Sequence, residues 1–518
     1  MENIFICDNN TAVVDTTAGK VKGYVYKNIY MFKGIPYAKA KRFHKPEPTD
    51  KWDNVFDATN YGFVCPLLDS KAKPMGEVAV PHRYWVMNED CLNLNIWTLG
   101  CDDKKRPVMV WLHGGGFEAG SSIEQIAYEG ENMCQYGDVV VVSLNHRLNV
   151  LGYCDLSAFG EEYENSGNAG TDDIIAALKW IHDNIEGFGG DPENVTVFGQ
   201  SGGGAKVTTL LQSPEADGLI AKGINMSGVI GPLLAGPEGS GEALGKALME
   251  ELKLESIKEL EEVPYEDLAE AYKKVKPQLL MKGCYVGGAP FKNAHYAGDP
   301  NIHGFREETK DVPLIVGSVF GEFASFAPYR YDRNSMSREE GIKKCEELLG
   351  EEAMKEILPL FEEAYPDRNP VDILTLDFIF RLPEQEYIRK RSKLNNNTYS
   401  YIFDVDMPIE GGKTPWHCCD IPYFFRNSAL VPVSQIPGVS DRVEDEIFSR
   451  VMAFAHTGNP NAKDFVNWEP STAEEEKVLV INKESELKTN FDEKLIPTFA
   501  KYMGPVFQKQ MSDAQVQH

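Results

Sequence analysis

The sequence predicts an α/β fold: a large, mostly parallel central sheet flanked by helices. Three observations predict it. Runs rich in β-branched residues recur along the chain and are nearly continuous in apolar character, as strands buried on both faces require. A segment of helical periodicity lies between two of them. One run passes straight into a glycine-serine-glycine stretch and then a helix, "VTVFGQSGGGAKV" (195–207).

The strand-like runs, in order, are "PVMVWLHGGG" (107–116), "DVVVVSLNHR" (138–147), "NVTVFGQS" (194–201), "GINMSG" (223–228), "VPLIVGSVF" (312–320) and "TYSYIFDVD" (398–406). Between the second and third, "GTDDIIAALKWIHDNIEGFGG" (170–190) repeats Ile174, Ala177, Leu178 and Ile181 at helical spacing and ends on a glycine pair. Strand alternating with helix implies parallel pairing. Residues from about 230 to 310 and from about 335 to 395 are helical and charged, with no strand partner. They read as cap-like helical insertions covering the sheet edge or a pocket, within a single domain over 1–518. No internal repeat or low-complexity linker divides the chain.

Composition narrows the function. The chain has 518 residues, 42% of them hydrophobic and 25% charged, which suits a globular protein with a sizeable core. A net charge of −27 repels phosphate backbones, so nucleic acid is not an expected partner. No run approaches the ~18 apolar residues of a membrane helix, and the N-terminal stretch lacks the basic and apolar regions of a secretory signal. No membrane association is expected, and the expected compartment is the cytoplasm. Ten cysteines are too sparse for a disulfide scaffold, and the adjacent Cys418 and Cys419 read as reduced thiols.

Gly199, Ser201 and Gly203 form the only G-x-S-x-G match in the chain. A strand, a tight turn and a helix around that motif lift the serine to the top of a sheet, with a helix N-terminus aimed at it. Glycines two positions before and after keep neighbouring backbone from clashing. This is the nucleophile elbow of α/β-hydrolases. The second piece is "WLHGGGF" (111–117), whose glycines expose backbone N–H groups. Gly115, Gly116 and Gly202 would together make a three-donor oxyanion hole. A phosphate loop would place Lys-Ser or Lys-Thr after its glycines, where Phe117 and Glu118 stand instead.

A serine nucleophile needs a base and an acid, and on this fold they follow it in the order acid, then histidine. Three histidines follow the last of these runs: His417, His456 and His518. His518 is the terminus, and His456 lies on a helix face in "EIFSRVMAFAHTG". His417, in the loop "KTPWHCCDIPYFF", is the expected base. The first carboxylate after "VPLIVGSVF" is Glu322, which would orient the imidazole. Asp404 and Asp406, on the run preceding the histidine, are its rivals.

Taken together, these stretches resemble the type-B carboxylesterase family, which includes bacterial para-nitrobenzyl esterases and cholinesterases. The resemblance runs through "FKGIPYAKA", "RFHKPEP", "EDCLNLNIW", "PVMVWLHGGGF", "NHRLNVLGY", "GNAG", "FGGDPENVTVFGQSGGG", "WHCCDIPYFF" and "FAHTGNPN", in the family's order and over nearly the whole chain. It implies a serine carboxylesterase with Glu322 as triad acid, Ser227 supporting that acid, no metal or organic cofactor, and a small-molecule ester as substrate. It implies buried ion pairs Arg147–Asp173 and Arg42–Glu89. Cys65 and Cys91 match a disulfide of secreted members and are expected to be reduced here. The chain departs from the pattern in four places. Gln200 replaces a glutamate beside the nucleophile, Pro81 stands near the place of a tryptophan that binds quaternary ammonium, Gly202 replaces alanine in the elbow, and "AKAKRF" is a few residues short. A choline ester is therefore not the expected substrate, and the turn at Gly202 is expected to be looser. The chain is expected as a monomer or small homo-oligomer. The alternatives are a non-catalytic binding protein on the same scaffold, or an amidase or acyltransferase.

Overall fold

The computed structural model describes residues 4–68, 81–231, 236–237, 239–323, 333–409 and 412–516. Its centre is a 12-stranded sheet. In chain order the strands are β1 (Phe5–Ile6), β2 (Tyr24–Tyr26), β3 (Ile29–Pro36), β4 (Asn93–Thr98), β5 (Arg106–Leu112), β6 (Val140–Leu144), β7 (Gly190–Gln200), β8 (Lys222–Met226), β9 (Leu314–Val319), β10 (Thr398–Phe403), β11 (Lys477–Ile481) and β12 (Glu486–Thr489). Across the sheet they run β1-β2-β3-β4-β6-β5-β7-β8-β9-β10-β11-β12. From β6 to β11 every pairing is parallel. The flanking pairings are antiparallel.

The apolar runs become strands because both faces of the sheet are covered. Along β5, Val108, Val110 and Leu112 join a core with Ile174, Leu178 and Ile181 of helix α1 (Ala169–Asn184). Their neighbours Met109 and Trp111 point the other way, into a core with Phe198, Phe425 and Ile447. Side chains alternate faces along a strand, so an unbroken apolar run feeds two cores at once. Helix α1 then tightens into a 3₁₀ turn (Ile185–Phe188) and stops at Gly189, whose φ of 76° lets the chain reverse into β7.

Helix α2 (Gly202–Leu211) follows β7 directly. The segment 230–310 carries helices α3 (Glu242–Leu252) and α4 (Tyr265–Leu280). The segment 335–395 carries α5 (Arg338–Leu349), α6 (Glu351–Ala364) and α7 (Arg381–Ser392). Helix α7 is anchored beneath the sheet: Arg381, 2% exposed, bonds Asp492 and Glu476 beside β11 as well as its own Glu384. Among the described residues no helix is long and apolar enough to cross a membrane.

Both implied ion pairs are present. Arg42 Nε donates to Glu89 Oε2 at 2.9 Å. The Arg147 guanidinium grips Asp173 through Nε at 2.8 Å and Nη2 at 2.6 Å, with side chains 3% and 0% exposed. Asp173 also accepts the Arg147 backbone N–H at 3.0 Å, so one carboxylate ties α1 to the loop after β6. Asp173→Asn leaves the guanidinium buried and uncompensated. It is expected to lower stability by about 3–5 kcal/mol, read as a shift of the denaturant midpoint; an unchanged midpoint contradicts this account.

Candidate active site

Strand β7 ends at Gln200 and α2 begins at Gly202, leaving Ser201 to make the whole turn. It does so at φ 59°, ψ −126°, a conformation that costs a non-glycine residue about 1–3 kcal/mol. Its N–H donates to the Met226 carbonyl at 2.8 Å and its carbonyl accepts from Ala205 N–H at 3.0 Å, so strand β8 and helix α2 together hold the strain. The glycines let the pieces approach. A Cβ on Gly199 would stand 2.5 Å from the Gly203 carbonyl carbon, and one on Gly203 would stand 1.9 Å from the Leu112 oxygen.

The loop after β5 rests on this elbow. Each peptide leading to its glycine N–H groups is pinned through its carbonyl. The His113 carbonyl accepts from Lys206 Nζ at 2.9 Å. The Gly114 carbonyl lies 2.8 Å from His113 Nδ1, which must be the donor since a carbonyl only accepts. The Gly115 carbonyl accepts from Ala119 N–H at 3.0 Å and Glu118 N–H at 3.3 Å. In a planar trans peptide the N–H points opposite to the C=O. Fixing the Gly114 and Gly115 carbonyls therefore aims the N–H groups of Gly115 and Gly116 to the other side. The turn at Gly202 is not loosened: Gly116 backbone occupies the place of the missing side chain, with its oxygen 2.2 Å from where a Cβ would sit.

His417 lies in the loop after β10. Glu322 holds it twice, accepting from Nδ1 at 2.5 Å and offering its backbone carbonyl to His417 N–H at 2.8 Å. The other oxygen of Glu322 accepts from Ser227 Oγ at 2.6 Å and Val319 N–H at 2.9 Å, and the carboxylate is fully buried. The ring packs parallel to Phe380, with centroids 5.2 Å apart, and to Phe323 at 6.2 Å. Gln200 Nε2 lies 3.3 and 3.4 Å from the two ring nitrogens, while its Oε1 accepts from the Cys418 thiol at 3.1 Å. Imidazole and elbow thus meet through the residue before Ser201. Among the described residues no hydrogen bond joins the Ser201 hydroxyl itself to His417.

The rivals are engaged elsewhere. Asp404 pairs with Arg368 at 2.6 Å and Asp406 with Arg333 at 2.6 Å. His456 is exposed on the helix α8 (Ser440–Thr457) and its Nε2 contacts the Gly137 carbonyl at 3.0 Å. His518 lies outside the described residues. Pro81 lines a small cavity with Cys418 and Cys419. Cys65 and Cys91 are free, buried thiols. Among the described residues no cluster of histidine, cysteine and carboxylate groups is disposed to hold a metal ion.

Two further carboxylates lie near the imidazole, Asp420 within "WHCCDIPYFF" and Asp377 outside the motifs. Burial, and then the charge of Glu322, push Asp377 and Asp420 each up to about 7. Asp420 accepts from Tyr401 Oη at 2.9 Å. Asp377 caps the backbone N–H groups of Ile379, Phe380 and Arg381 at 3.1, 3.1 and 2.8 Å. For His417 burial acts first and favours the neutral ring. The charge and hydrogen bond of Glu322, joined by Asp420 and Asp377, outweigh it and hold the imidazole above 6.5.

The carboxylesterase family model matches residues 10–496. The para-nitrobenzyl esterase of Bacillus subtilis (strain 168) is 32% identical over 483 residues, 91% of this chain and 95% of that protein. The phenmedipham hydrolase of Pseudarthrobacter oxydans is 29% identical over 488 residues, again 91% of this chain and 95% of that one. Among solved structures, an esterase from anaerobic Clostridium hathewayi, described as able to hydrolyse aliphatic aromatic polyesters, has a TM-score of 0.94 at 47% identity, covering 96% of this chain and 99% of that chain.

Asp420→Asn keeps an acceptor for Tyr401 and removes a negative charge that favours the imidazolium. The His417 resonance is therefore expected to titrate above 6.5 in the wild type and at lower pH in the variant, by histidine-selective NMR. A shift to higher pH, or none, overturns the electrostatic assignment.

Proposed function

Because the chain belongs to the carboxylesterase family and is a carboxylic-ester hydrolase, we propose that it cleaves esters through an acyl-enzyme carried by Ser201. In the first half-reaction the Ser201 hydroxyl attacks the ester carbonyl and His417 Nε2 takes its proton. Glu322, on the opposite nitrogen, stabilises the imidazolium that forms. The new C–O⁻ accepts hydrogen bonds from Gly115, Gly116 and Gly202 N–H. Collapse of the tetrahedral intermediate breaks the bond to the leaving alcohol, which receives the proton from His417. In the second half a water molecule, deprotonated by His417, attacks the acyl carbon, and Ser201 recovers its proton as the acid departs. Ser227 serves by keeping Glu322 in register.

The observation that carries this reading is the Glu322–His417 pair, 2.5 Å apart and packed against the residue preceding a strained serine. The unbonded serine hydroxyl agrees with it, because such bonds are often long before substrate arrives. For the substrate we propose a neutral ester bearing an aryl or other apolar group. Phe323 and Phe380 pack beside one another against the imidazole, and the side chain at 200 is an uncharged amide. Relatives named for para-nitrobenzyl esters and for aliphatic aromatic polyesters point the same way.

Two substitutions test the assignment. With benzyl acetate as substrate, Ser201→Ala is expected to lower kcat by roughly 10⁶-fold; comparable turnover by the two proteins removes Ser201 from the mechanism. Gly202→Ala must displace Gly116 backbone, since the new Cβ would stand 2.2 Å from its oxygen. It is expected to reduce kcat by about 10²–10³ with little change in KM. Wild-type kinetics in that variant overturn the claim that the contact between Gly202 and Gly116 fixes the donors.

A further inference from the structure

Lys206 lies on the second turn of α2 and is 1% exposed. Nothing about stability explains it. A buried ammonium is costly unless paired, and this one sits near the positive end of a helix dipole, the wrong end for a cation. A methionine would fill the same space. What the ammonium does is donate to the His113 carbonyl at 2.9 Å, with the Phe117 ring 5.6 Å away. Both residues belong to the loop that carries Gly115 and Gly116.

The countercharge is Glu124, which comes up behind the same loop. Glu124 and His113 converge on Gly120, where a Cβ would stand 3.2 Å from Glu124 Oε1 and 2.6 Å from His113 Nδ1. Tyr128 Oη donates to Glu124 at 3.5 Å. Further titratable neighbours are Cys418, within electrostatic reach of Glu124, and His146, stacked on His113 at 5.1 Å. The histidines are held neutral, first by burial and then by the nearby ammonium, which keeps both well below 6.5. Lys206 and Glu124 therefore lie within electrostatic reach of one another, beside a pair of uncharged rings.

We propose that Lys206 is a positioning residue for the oxyanion-binding loop, its buried ammonium fixing the peptide that leads into Gly114 and Glu124 serving as its countercharge. The inference rests on the proposal that Gly115 and Gly116 donate to the oxyanion. The chain of restraint is short. Lys206 sets the His113–Gly114 peptide, and the His113 ring sets the Gly114–Gly115 peptide. The Gly115 N–H follows from the second. Burial pushes Lys206 down to about 7 while Glu124 favours its charged form, and burial pushes Glu124 up to about 7 while Lys206 favours its carboxylate.

The test compares the wild type, Lys206→Met and Glu124→Gln in three measurements. These are kcat and KM for benzyl acetate, the inhibition constant of an aryl trifluoromethyl ketone, and the thermal midpoint. The ketone forms a tetrahedral adduct whose oxyanion needs the same donors as the transition state. Lys206→Met is expected to keep KM within about threefold, while kcat and ketone affinity fall together by roughly 10- to 100-fold. Glu124→Gln is expected to move both in the same direction by less. A folded Lys206→Met protein that binds the ketone as tightly as the wild type overturns the proposal. If that variant does not fold, unchanged ketone affinity in Glu124→Gln overturns it. Failure of the underlying reading looks different: there the wild type itself binds the ketone no more tightly than substrate.

Discussion

The arrangement depends on one close approach, that of helix α2 to the end of strand β5. At Gly203 the helix lies where even a methyl group would stand 1.9 Å from the Leu112 oxygen. That contact forces the chain from β7 to α2 through a single residue and so forces Ser201 into its strained conformation. It also seats Gly202 against Gly116 and brings Lys206, one turn along, under the His113 carbonyl. Glycine is disfavoured inside helices by roughly 1 kcal/mol, and α2 opens with three in succession. Their local cost is set against the backbone contacts that only they permit.

The acid side of the site is arranged on a different principle. Three carboxylates, Glu322, Asp377 and Asp420, are buried within electrostatic reach of one imidazole. Glu322 is fully engaged, through Ser227, Val319 and the ring. It is the group whose charge the other two feel, and they respond by binding protons more tightly. Asp377 has a second task. By capping the N–H groups of residues 379 to 381 it begins α7 and delivers Phe380 to the face of the imidazole. The insertion at 335–395 thereby reaches the site through a capping bond, and the next residue, Arg381, is anchored to Glu476 and Asp492.

How much of this is legible in the sequence follows from whether the cause is local. The six apolar runs appear as strands β5 to β10 because burial on both faces writes itself into composition. Strand β4 escapes that signal. Asn93 and Asn95 are buried within it, and Asn95 is satisfied by Ser122, Ser143 and Gly34 N–H, so its polarity reads as surface. Strand β3 is broken in composition by Lys33 and Gly34, where its register with β4 also shifts. Ser201, Glu322 and His417 can be proposed from the sequence because the fold's chain order selects among few candidates. Asp420 lies within "WHCCDIPYFF", three residues past His417, but its spacing alone assigns it no role. Asp377 has local partners only as a cap for residues 379 to 381; its coupling to Glu322, like the bond from Lys206 to the His113 carbonyl, arises only once the folded sheet brings distant segments together.

A glycine loop is the most flexible backbone a protein can build, which makes it an odd choice for donors that must not move. Oriented dipoles stabilise a developing charge only if they need no reorganisation when it appears. The resolution lies behind the loop rather than within it. Side chains at residues 115 and 202 would collide with backbone. So the restraint is applied to the carbonyl ends, by a lysine from α2, by the His113 ring and by the N–H groups of Glu118 and Ala119. Each anchor comes from a different group, and each acts on one peptide plane, so no single rotation frees the whole loop. The flexibility that lets the backbone adopt positive φ at Gly115 and Gly116 is spent in folding, and the N–H groups left facing the site are as fixed as the helix that supplies Gly202.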